Sequence, residues 1–187
     1  MSVDHIFGLR ADAAARGGVS EALSETVSEA DFKSIFRHHP AGVAVITLRT
    51  PHGPVGFTAT SVISVSAAPP IFAFSLAGTS SSRPALEEAG TVVVNLLADD
   101  QDDVAARFAA RGVDRFAGVD WHPLPTGEPV LRGTTAWVRG RIEQRVPVGD
   151  SLLITVHALL AEHSRGENPL VYNNRAYHRL GGHSRLG

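Results

Sequence analysis

Apolar and β-branched residues recur along this chain in short runs that are separated by clusters of Gly, Pro, Asn and Ser. Runs of this kind, bounded by turn formers, are typical of β-strands. The predicted strands are residues 43–48, 55–60, 62–66, 71–76, 91–97, 134–145 and 152–160, with a hairpin over 170–180 turning at Asn173 and Asn174. Four extended segments in succession at the start predict an antiparallel sheet that curls or closes.

A few segments have helical patterns instead. Ser28 precedes Glu29 and Asp31, which is the pattern of a helix N-cap followed by an acidic first turn. One face of this helix is apolar and carries Phe32, Ile35 and Phe36. Further helical segments are predicted over 84–89 and 102–111. The fold class predicted is therefore mainly β, an antiparallel barrel with a few appended helices.

The first residues differ from the rest of the chain. Residues 1–28 are rich in Ala, Gly, Ser and Glu, and their large apolar residues are scattered. We interpret them as a mobile N-terminal leader, and residues 29–187 as one domain. The length of 187 residues and the 43% hydrophobic content fit a single globular unit.

Composition excludes several classes of function. With 17 Lys and Arg against 19 Asp and Glu, the net charge of -2 provides no basic field for nucleic acid. The absence of Cys removes thiolate nucleophiles, Fe–S clusters and Cys-ligated zinc, so redox chemistry needs a cofactor. Nine His residues lack the spacing of metal sites, and we predict no metal. No apolar run approaches the ~20 residues of a membrane span, which predicts a cytoplasmic protein without membrane contact.

Hydroxyl side chains are dense beside glycine at two strand ends. Residues 56–61 read Gly-Phe-Thr-Ala-Thr-Ser, and residues 78–83 read Gly-Thr-Ser-Ser-Ser-Arg. Hydroxyls, the N–H groups of a helix start and the Arg83 guanidinium could together hold a phosphate. Either run alone is typical of an ordinary loop, but the pair flanks one strand and predicts a phosphorylated ligand. Serine hydrolase, Rossmann and P-loop motifs are absent.

The order of segments resembles that of a known family. The matching segments are residues 36–47, 56–61, 64–66, 69–70, 80–82, 94–97, 101, 107–109, 114–119, 127, 129, 149–150 and 169–172. Together they resemble the flavin reductase-like, split-barrel FMN-binding domain over roughly residues 32–180. The resemblance implies a homodimer that holds FMN or FAD near its subunit interface. It also implies the reductase component of a two-component flavin-dependent monooxygenase, which uses NADH or NADPH to reduce flavin for the partner oxygenase.

The resemblance also implies the flavin contacts. Val43, Ala44 and Val45 would lie along the isoalloxazine with backbone groups available to its polar edge. Thr58, Ala59, Thr60 and Ser61 match a Thr-Ala-Asn-Ser stretch of the family, with Thr60 where Asn is usual. The other expected contacts are Ser80, Ser81, Ser82 and Arg83 at the phosphate end, Asn95, Leu96 and Leu97 on the long strand, Phe108 as a cover, and Arg115 and Phe116 close to the pocket.

One position departs from the family pattern. Many members carry Gly-Asp-His where this chain has Gly149, Asp150 and Ser151, and that His lies near the nicotinamide or flavin. Hydride transfer needs stacking and orientation more than an acid or base, so no catalytic side chain is predicted. His157 lies on the same strand face as Ser151 and could substitute only if it faces the pocket.

Several functions stay open at this level. The leading hypothesis is an NAD(P)H:flavin oxidoreductase that supplies a monooxygenase. A second is an enzyme with tightly bound FMN acting on an unknown substrate, and a third is a non-catalytic flavin- or haem-binding carrier or sensor. A purely structural dimer is the fourth. The choices of FMN or FAD and of NADH or NADPH are not decided by the sequence.

Overall fold

The protein was analysed as a computed structural model that describes residues 26–163, 168–181 and 184. Residues 1–25 of the predicted leader lie outside the described residues. The helices are α1 (Glu29–Arg37), α2 (Arg83–Glu88) and α3 (Asp102–Ala109). The strands are β1 (Ala41–Gly42), β2 (Ala44–Thr50), β3 (Gly53–Ala59), β4 (Ile63–Ala67), β5 (Pro70–Ala77), β6 (Thr91–Leu96), β7 (Trp121–Pro123), β8 (Pro129–Leu131), β9 (Ala136–Val148), β10 (Ser151–His163), β11 (Leu170–Asn173) and β12 (Ala176–Arg179).

One large antiparallel sheet dominates the molecule. Its strand order is β3-β2-β6-β9-β10-β5-β4, so the early hairpin β2–β3 forms one edge and the hairpin β4–β5 forms the other. The rings of Phe57 on β3 and Phe74 on β5 lie 6.2 Å apart, centroid to centroid. Strands from opposite ends of the sheet therefore meet, which means that the sheet curls around its core. The prediction of a mainly β, curled antiparallel architecture is confirmed.

Strand β2 is buried on both faces, which explains its continuous apolar sequence. Ala44, Ile46 and Leu48 point into the main core inside the curled sheet. Val43, directly before the strand, and Val45 belong to a second core cluster on the outside, which α3 and the β8 end cover. The two core layers share this strand, so its position is fixed from both sides.

Two small strand pairs were not predicted. The hairpin β7–β8 pairs Trp121 with Leu131, and β1 pairs with β11. Strands β1, β7 and β8 have only two or three residues each, too few for a periodic pattern. The hairpin β11–β12 was predicted, but its turn lies at Asn174 and Arg175, one residue later than expected.

Helix α1 begins where the sequence predicts. The Asp31 N–H donates a 3.1 Å hydrogen bond to the Ser28 Oγ, which confirms the N-cap. None of its residues is buried, and Phe32, Ile35 and Phe36 are 54%, 63% and 56% exposed. The apolar face of α1 is therefore uncovered by the described residues of this chain. Among the described helices, none is long and apolar enough to cross a membrane.

Candidate functional site

A cleft of about 360 Å³ opens where the two edges of the large sheet face each other. We call it the edge cleft. The end of β3 and the end of β5 form two of its walls, the loop before α2 forms a third, and the end of α3 closes it. The sequence-predicted residues that line it are Thr58, Ala59, Thr60, Ser61, Ser80, Ser81, Phe108 and Arg115. Both hydroxyl-rich runs therefore reach one cavity, although two strands, β4 and β5, lie between them in the chain rather than the one strand expected.

Several hydroxyls of the cleft already have structural partners. The Thr58 Oγ1 donates to the Ala105 carbonyl at 2.7 Å and ties β3 to α3. The Ser61 Oγ donates to the Ser75 carbonyl at 3.1 Å and accepts from the Ser75 N–H at 2.9 Å. The Ser61 side chain thus extends the β4–β5 ladder beyond the last paired residue. In contrast, the Thr60 hydroxyl has no hydrogen bond to a described residue.

Arg115 connects three walls of the edge cleft. Its Nε and Nη2 donate to the Ala110 carbonyl at 2.9 and 2.8 Å, at the end of α3. Its Nη1 donates to the Gly56 carbonyl at 2.8 Å and to the Ser82 Oγ at 2.9 Å. Burial lowers the pKa of Arg115 from its usual value, and no carboxylate of the described residues pairs with it. Its positive charge is therefore held close to the cavity without a counterion.

Arg83 does not have the role that the sequence predicts. Its Nε donates to the Glu87 carboxylate at 2.8 Å, one helical turn away, and the residue is outside the lining of the cleft. The N–H groups of Ser82 and Arg83 bond to the Ser80 hydroxyl and carbonyl. In this structure the guanidinium at the cavity is that of Arg115 and not that of Arg83, and the N–H groups of Ser82 and Arg83 already have acceptors. Ser82 is buried and contributes by holding Arg115.

The predicted contacts on β2 and β6 lie in the interior. Val43, Ala44, Val45, Asn95, Leu96 and Leu97 are absent from the lining of the edge cleft. The backbone groups of residues 43–45 are already paired: Val43 bonds to Leu170 and Leu97, and β2 pairs with β3 and β6 on its two sides. Asn95 is fully buried and donates to the Val45 carbonyl at 3.0 Å while accepting from the Leu131 N–H at 2.9 Å. Its amide is used to join three strands.

The aromatic residues form a row behind the cleft. Phe108 is fully buried and lies at the base of the cavity, where a Cβ on Gly56 would come within 2.5 Å of its ring. Phe116 packs edge-to-face on Phe108 at 5.0 Å and on Trp121 at 5.4 Å. Phe108 is therefore part of the floor of the cleft rather than a cover. Phe116 packs against Phe108 and lines a neighbouring cavity.

Ser151 lies beside the cleft wall, on the strand next to β5, and does not line the cleft itself. It pairs with Ala77, which lines the cleft, and its Oγ donates to the Asp150 carboxylate at 3.0 Å. The Asp150 carbonyl accepts from the Gly78 N–H at 2.8 Å. His157 shares the strand face of Ser151, but its Nδ1 lies 3.7 Å from Glu143, and it does not line the cleft. His157 therefore does not replace the missing His.

One charged residue of the cleft was missed by the sequence analysis. Arg111, directly after α3, lines the cavity and makes no hydrogen bond or ion pair to a described residue. It is the last residue of the helical segment predicted over 102–111, and nothing in the local sequence marks it as a ligand contact. With Arg115 it gives the cleft two positive charges, and none of the described lining residues is acidic. Within the same described part of the chain, no group of three or more His, Asp or Glu residues could hold a metal ion.

The sequence profile described as the flavin reductase like domain matches residues 36–181. The chain belongs to this family. An NADH:FMN oxidoreductase of Rhodococcus qingshengii is 45% identical over 163 residues, which is 84% of each chain. The reductase subunit HsaB of a flavin-dependent monooxygenase of Rhodococcus jostii is 32% identical over 160 residues, covering 86% of this chain and 82% of the relative.

A solved structure has the same fold. The Streptomyces globisporus NADH:FAD oxidoreductase SgcE6, in complex with NAD and FAD fragments, superposes with a TM-score of 0.80. It is 25% identical, and the match covers 87% of this chain and all of that one. The sheet described here is thus the split barrel of the flavin reductase family. The split is the opening between β3 and β5, where the edge cleft lies.

The edge cleft has the chemistry that a flavin requires. Apolar side chains at its base, Phe57, Leu76 and Phe108, suit a flat aromatic ring system. The hydroxyls of Thr79 and Ser80 and the two arginines suit a phosphate at the other end. In this flavin reductase, one cavity therefore contains apolar side chains that suit the ring system and polar and cationic side chains that suit a phosphate.

Proposed function

We propose that this protein is an NAD(P)H-dependent flavin reductase that supplies reduced FMN or FAD to a partner flavin-dependent monooxygenase. The observation that carries the proposal is the edge cleft at the split of the barrel, with an apolar floor and two arginines that lack a carboxylate partner. The family membership and the relatives that are named as NADH:FMN oxidoreductase and monooxygenase reductase subunit support the same activity.

The residues of the cleft would bind and orient, and none is required to move a proton. Arg111 and Arg115 would hold the flavin phosphate, with Ser80 and Ser81 donating hydrogen bonds beside them. The Thr60 hydroxyl would meet the polar edge of the ring, and the buried Phe108 would keep the floor apolar and exclude water. Bound flavin supplies the hydride acceptor, and NADH or NADPH supplies the hydride. The contribution of the protein is therefore proximity and desolvation.

We also propose that the protein is a homodimer. The uncovered face of α1, with Phe32, Ile35 and Phe36 more than half exposed, supports this assignment, as do the exposed Ile63 and Val65 on the edge strand β4. Clusters of exposed large apolar side chains are typical of protein interfaces. Light scattering of the purified protein would test it, with a monomeric mass as the contrary result. A cytoplasmic location is proposed because NADH and NADPH are supplied there.

The reductase activity is tested by following NADH and NADPH oxidation at 340 nm while FMN or FAD is titrated from none to excess. We expect oxidation that depends on added flavin and saturates with it, since the flavin is a substrate that leaves. The same titration identifies the preferred flavin and the preferred nicotinamide nucleotide. Repeating it without oxygen separates flavin reduction from the later reaction of reduced flavin with oxygen.

Three results would contradict the proposal. Tight flavin binding without NAD(P)H oxidation would indicate a carrier or sensor. Oxidation that needs no added flavin, by protein that keeps its flavin on dilution, would indicate an enzyme with a resident FMN and a different acceptor. Absence of any flavin binding would leave only a structural role.

A further inference from the structure

Helix α3 connects the edge cleft with a part of the molecule outside it. Its eight residues span about 12 Å. The last turn carries Phe108 and Ala109, which line the cleft, and the first turn follows Gln101. Ala105 and Phe108 are fully buried in the outer core layer, so the helix has one packed face. Whatever fixes the start of α3 therefore also affects its end at the cleft.

Gln101 fixes the start of α3 with both ends of its side-chain amide. The Oε1 accepts from the Ala98 N–H at 3.0 Å, and the Nε2 donates to the Arg132 carbonyl at 2.8 Å. The backbone carbonyl of Gln101 accepts from the Ala105 N–H at 3.0 Å, which is a bond of the first helical turn. One residue thus joins the helix to the segment after β6 and to the turn after β8.

The partners of Gln101 are held in place by the fold itself. Ala98 is buried and forms a β-bridge with Pro169. On the other side, Gly133 has a φ of 74°, and a Cβ at this position would come within 3.3 Å of the Gln101 Nε2. Both the left-handed conformation and the close approach favour glycine. The side chain of Gln101 therefore bridges two segments whose positions do not depend on it.

The other end of α3 orients the cation of the edge cleft. The Nε and Nη2 of Arg115 both donate to the carbonyl of Ala110, the first residue after the helix, at 2.9 and 2.8 Å. The Ala110 N–H donates to the Ala106 carbonyl at 3.1 Å, so the position of Ala110 follows that of the helix. A displacement of α3 would therefore move the acceptor that determines where the Arg115 guanidinium lies.

We propose that Gln101 is a positioning residue for recognition of the flavin phosphate: it fixes α3, and α3 fixes the guanidinium of Arg115. This inference rests on the proposed function and adds a residue that lies outside the lining of the edge cleft. The effect falls on the phosphate end, because hydrogen bonds from Arg115 weaken steeply when their angle changes. The floor of the cleft is less sensitive, since Phe108 is fully buried and held by packing against Phe116.

The test compares FMN with riboflavin, which has the same ring system but no phosphate. The test variant is Gln101→Met, which keeps a side chain of similar length and removes both the donor and the acceptor. Gln101→Glu is a second variant, which keeps an acceptor for Ala98 but cannot donate to the Arg132 carbonyl. The control is Thr135→Val, which removes a 3.1 Å hydrogen bond to the Leu96 carbonyl that does not involve α3. Fluorescence titration gives the Kd for both flavins, after circular dichroism has shown that each variant is folded.

We expect the Kd for FMN to rise about fivefold in both Gln101 variants, because a misplaced guanidinium loses part of its hydrogen bonding to the phosphate. The Kd for riboflavin should change less than about twofold, and the control should bind both flavins as the parent protein does. The decisive measurement is the double variant Gln101→Met/Arg115→Ala. It should bind FMN no more weakly than Arg115→Ala alone, because there is no cation left to misplace.

Three results would overturn the inference. One is unchanged FMN affinity in the folded Gln101 variants. Another is an equal loss of affinity for FMN and riboflavin, which would indicate a general structural role. The third is a further loss of FMN affinity in the double variant, since Gln101 would then act independently of Arg115. Binding is measured without NAD(P)H, so a parent protein that binds FMN but does not oxidise NAD(P)H would count against the proposed function alone, whereas a parent protein that does not bind FMN would overturn both.

Discussion

Two arginines of the barrel are held in opposite ways. Arg139, with 16% of its side chain exposed, donates from Nη2 and Nε to the Glu128 carboxylate at 2.9 and 3.0 Å. Glu128 is 4% exposed and also accepts from the hydroxyls of Thr91 and Thr126. Arg115 at the edge cleft instead donates only to neutral carbonyl and hydroxyl oxygens of described residues.

The difference separates a closed region from an open one. At Glu128 and Arg139 the charges neutralise each other, and every partner lies within the fold. At Arg115 the neutral acceptors fix the guanidinium in place but leave its charge uncompensated. A partly buried charge without a counterion is less favourable than one that an anion neutralises. We therefore expect the Glu128 region to determine stability, and the Arg115 region to determine ligand affinity.

The largest effect is expected from Arg139→Met, which leaves the Glu128 carboxylate buried and unpaired. Breaking a buried pair in this way costs about 3–5 kcal/mol of the free energy of unfolding. Urea denaturation at pH 7 measures it. The control is Asp120→Asn, which removes an exposed pair with Arg132 and should cost less than about 1 kcal/mol. Equal losses of unfolding free energy in the two variants would contradict the assignment of stability to the Glu128 region. A large change in FMN affinity in Arg139→Met would contradict it too.

Acid should destabilise the fold through the same buried pair, Glu128 and Arg139. Burial opposes ionisation of Glu128, but hydrogen bonds from Arg139, Thr126 and Thr91 prevail and lower its pKa from 4.5 to about 2. Because the folded pKa is below the unfolded one, the carboxylate stabilises the fold above about pH 4.5. This stabilisation, of order 3 kcal/mol, is lost as the pH falls from 4.5 towards 2. Unfolding free energies from pH 2 to 6 test this prediction: the parent protein should lose more than Glu128→Gln, and parallel curves would contradict it.

Arg115→Ala should weaken ligand binding at the edge cleft. We expect flavin binding to weaken by about 2 kcal/mol, roughly thirtyfold in Kd, because the cation at the phosphate end is lost. Arg83→Ala is the matched control, since that side chain is paired with Glu87 and lies outside the cleft lining. Fluorescence titration with FMN measures both. If Arg83→Ala has the larger effect, the original assignment of Arg83 to the phosphate is right and the corrected one is wrong.

The smallest effect is expected from Ser151→His, beside the cleft wall at Ala77. An imidazole at this position can contact the nicotinamide, so we expect a KM for NAD(P)H about threefold lower, which is about 0.6 kcal/mol. Steady-state kinetics with saturating FMN measure it, and Ser151→Ala is the control for loss of the hydroxyl. A fall in both turnover and flavin affinity would show that Ser151 fits its surroundings in a different way.

The strands and the helix starts could be predicted because their signals are local. The β-branched run of β6 predicts a strand, and Ser28 with the acidic residues after it predicts a helix start, each from a few neighbouring residues. The short hairpin β7–β8 could not be predicted, because its pairing depends on packing against distant strands. Position in the chain also misled the phosphate assignment. Arg83 adjoins the serine run in sequence, whereas Arg115 reaches it only through the fold.

The interior part of the predicted site failed for a related reason. A buried strand can have one face in a cavity or both faces in packed layers, and its sequence looks the same in the two cases. Residues 43–45 have both faces packed because α3 and the β8 end cover the outer one. Asn95 looked like a ligand contact, but a buried amide needs partners in any setting, and here strands β2 and β8 supply them.

The Ser61 and Arg115 side chains have a further consequence for the sheet edges at the cleft. An open barrel exposes backbone N–H and C=O groups along its edge strands, and such groups can recruit strands from other chains. Ser61 occupies both backbone groups of Ser75 on β5, and Arg115 occupies the Gly56 carbonyl on β3. The opening can therefore admit a small molecule while offering little template for intermolecular β-pairing, so the barrel stays open without becoming a starting point for aggregation.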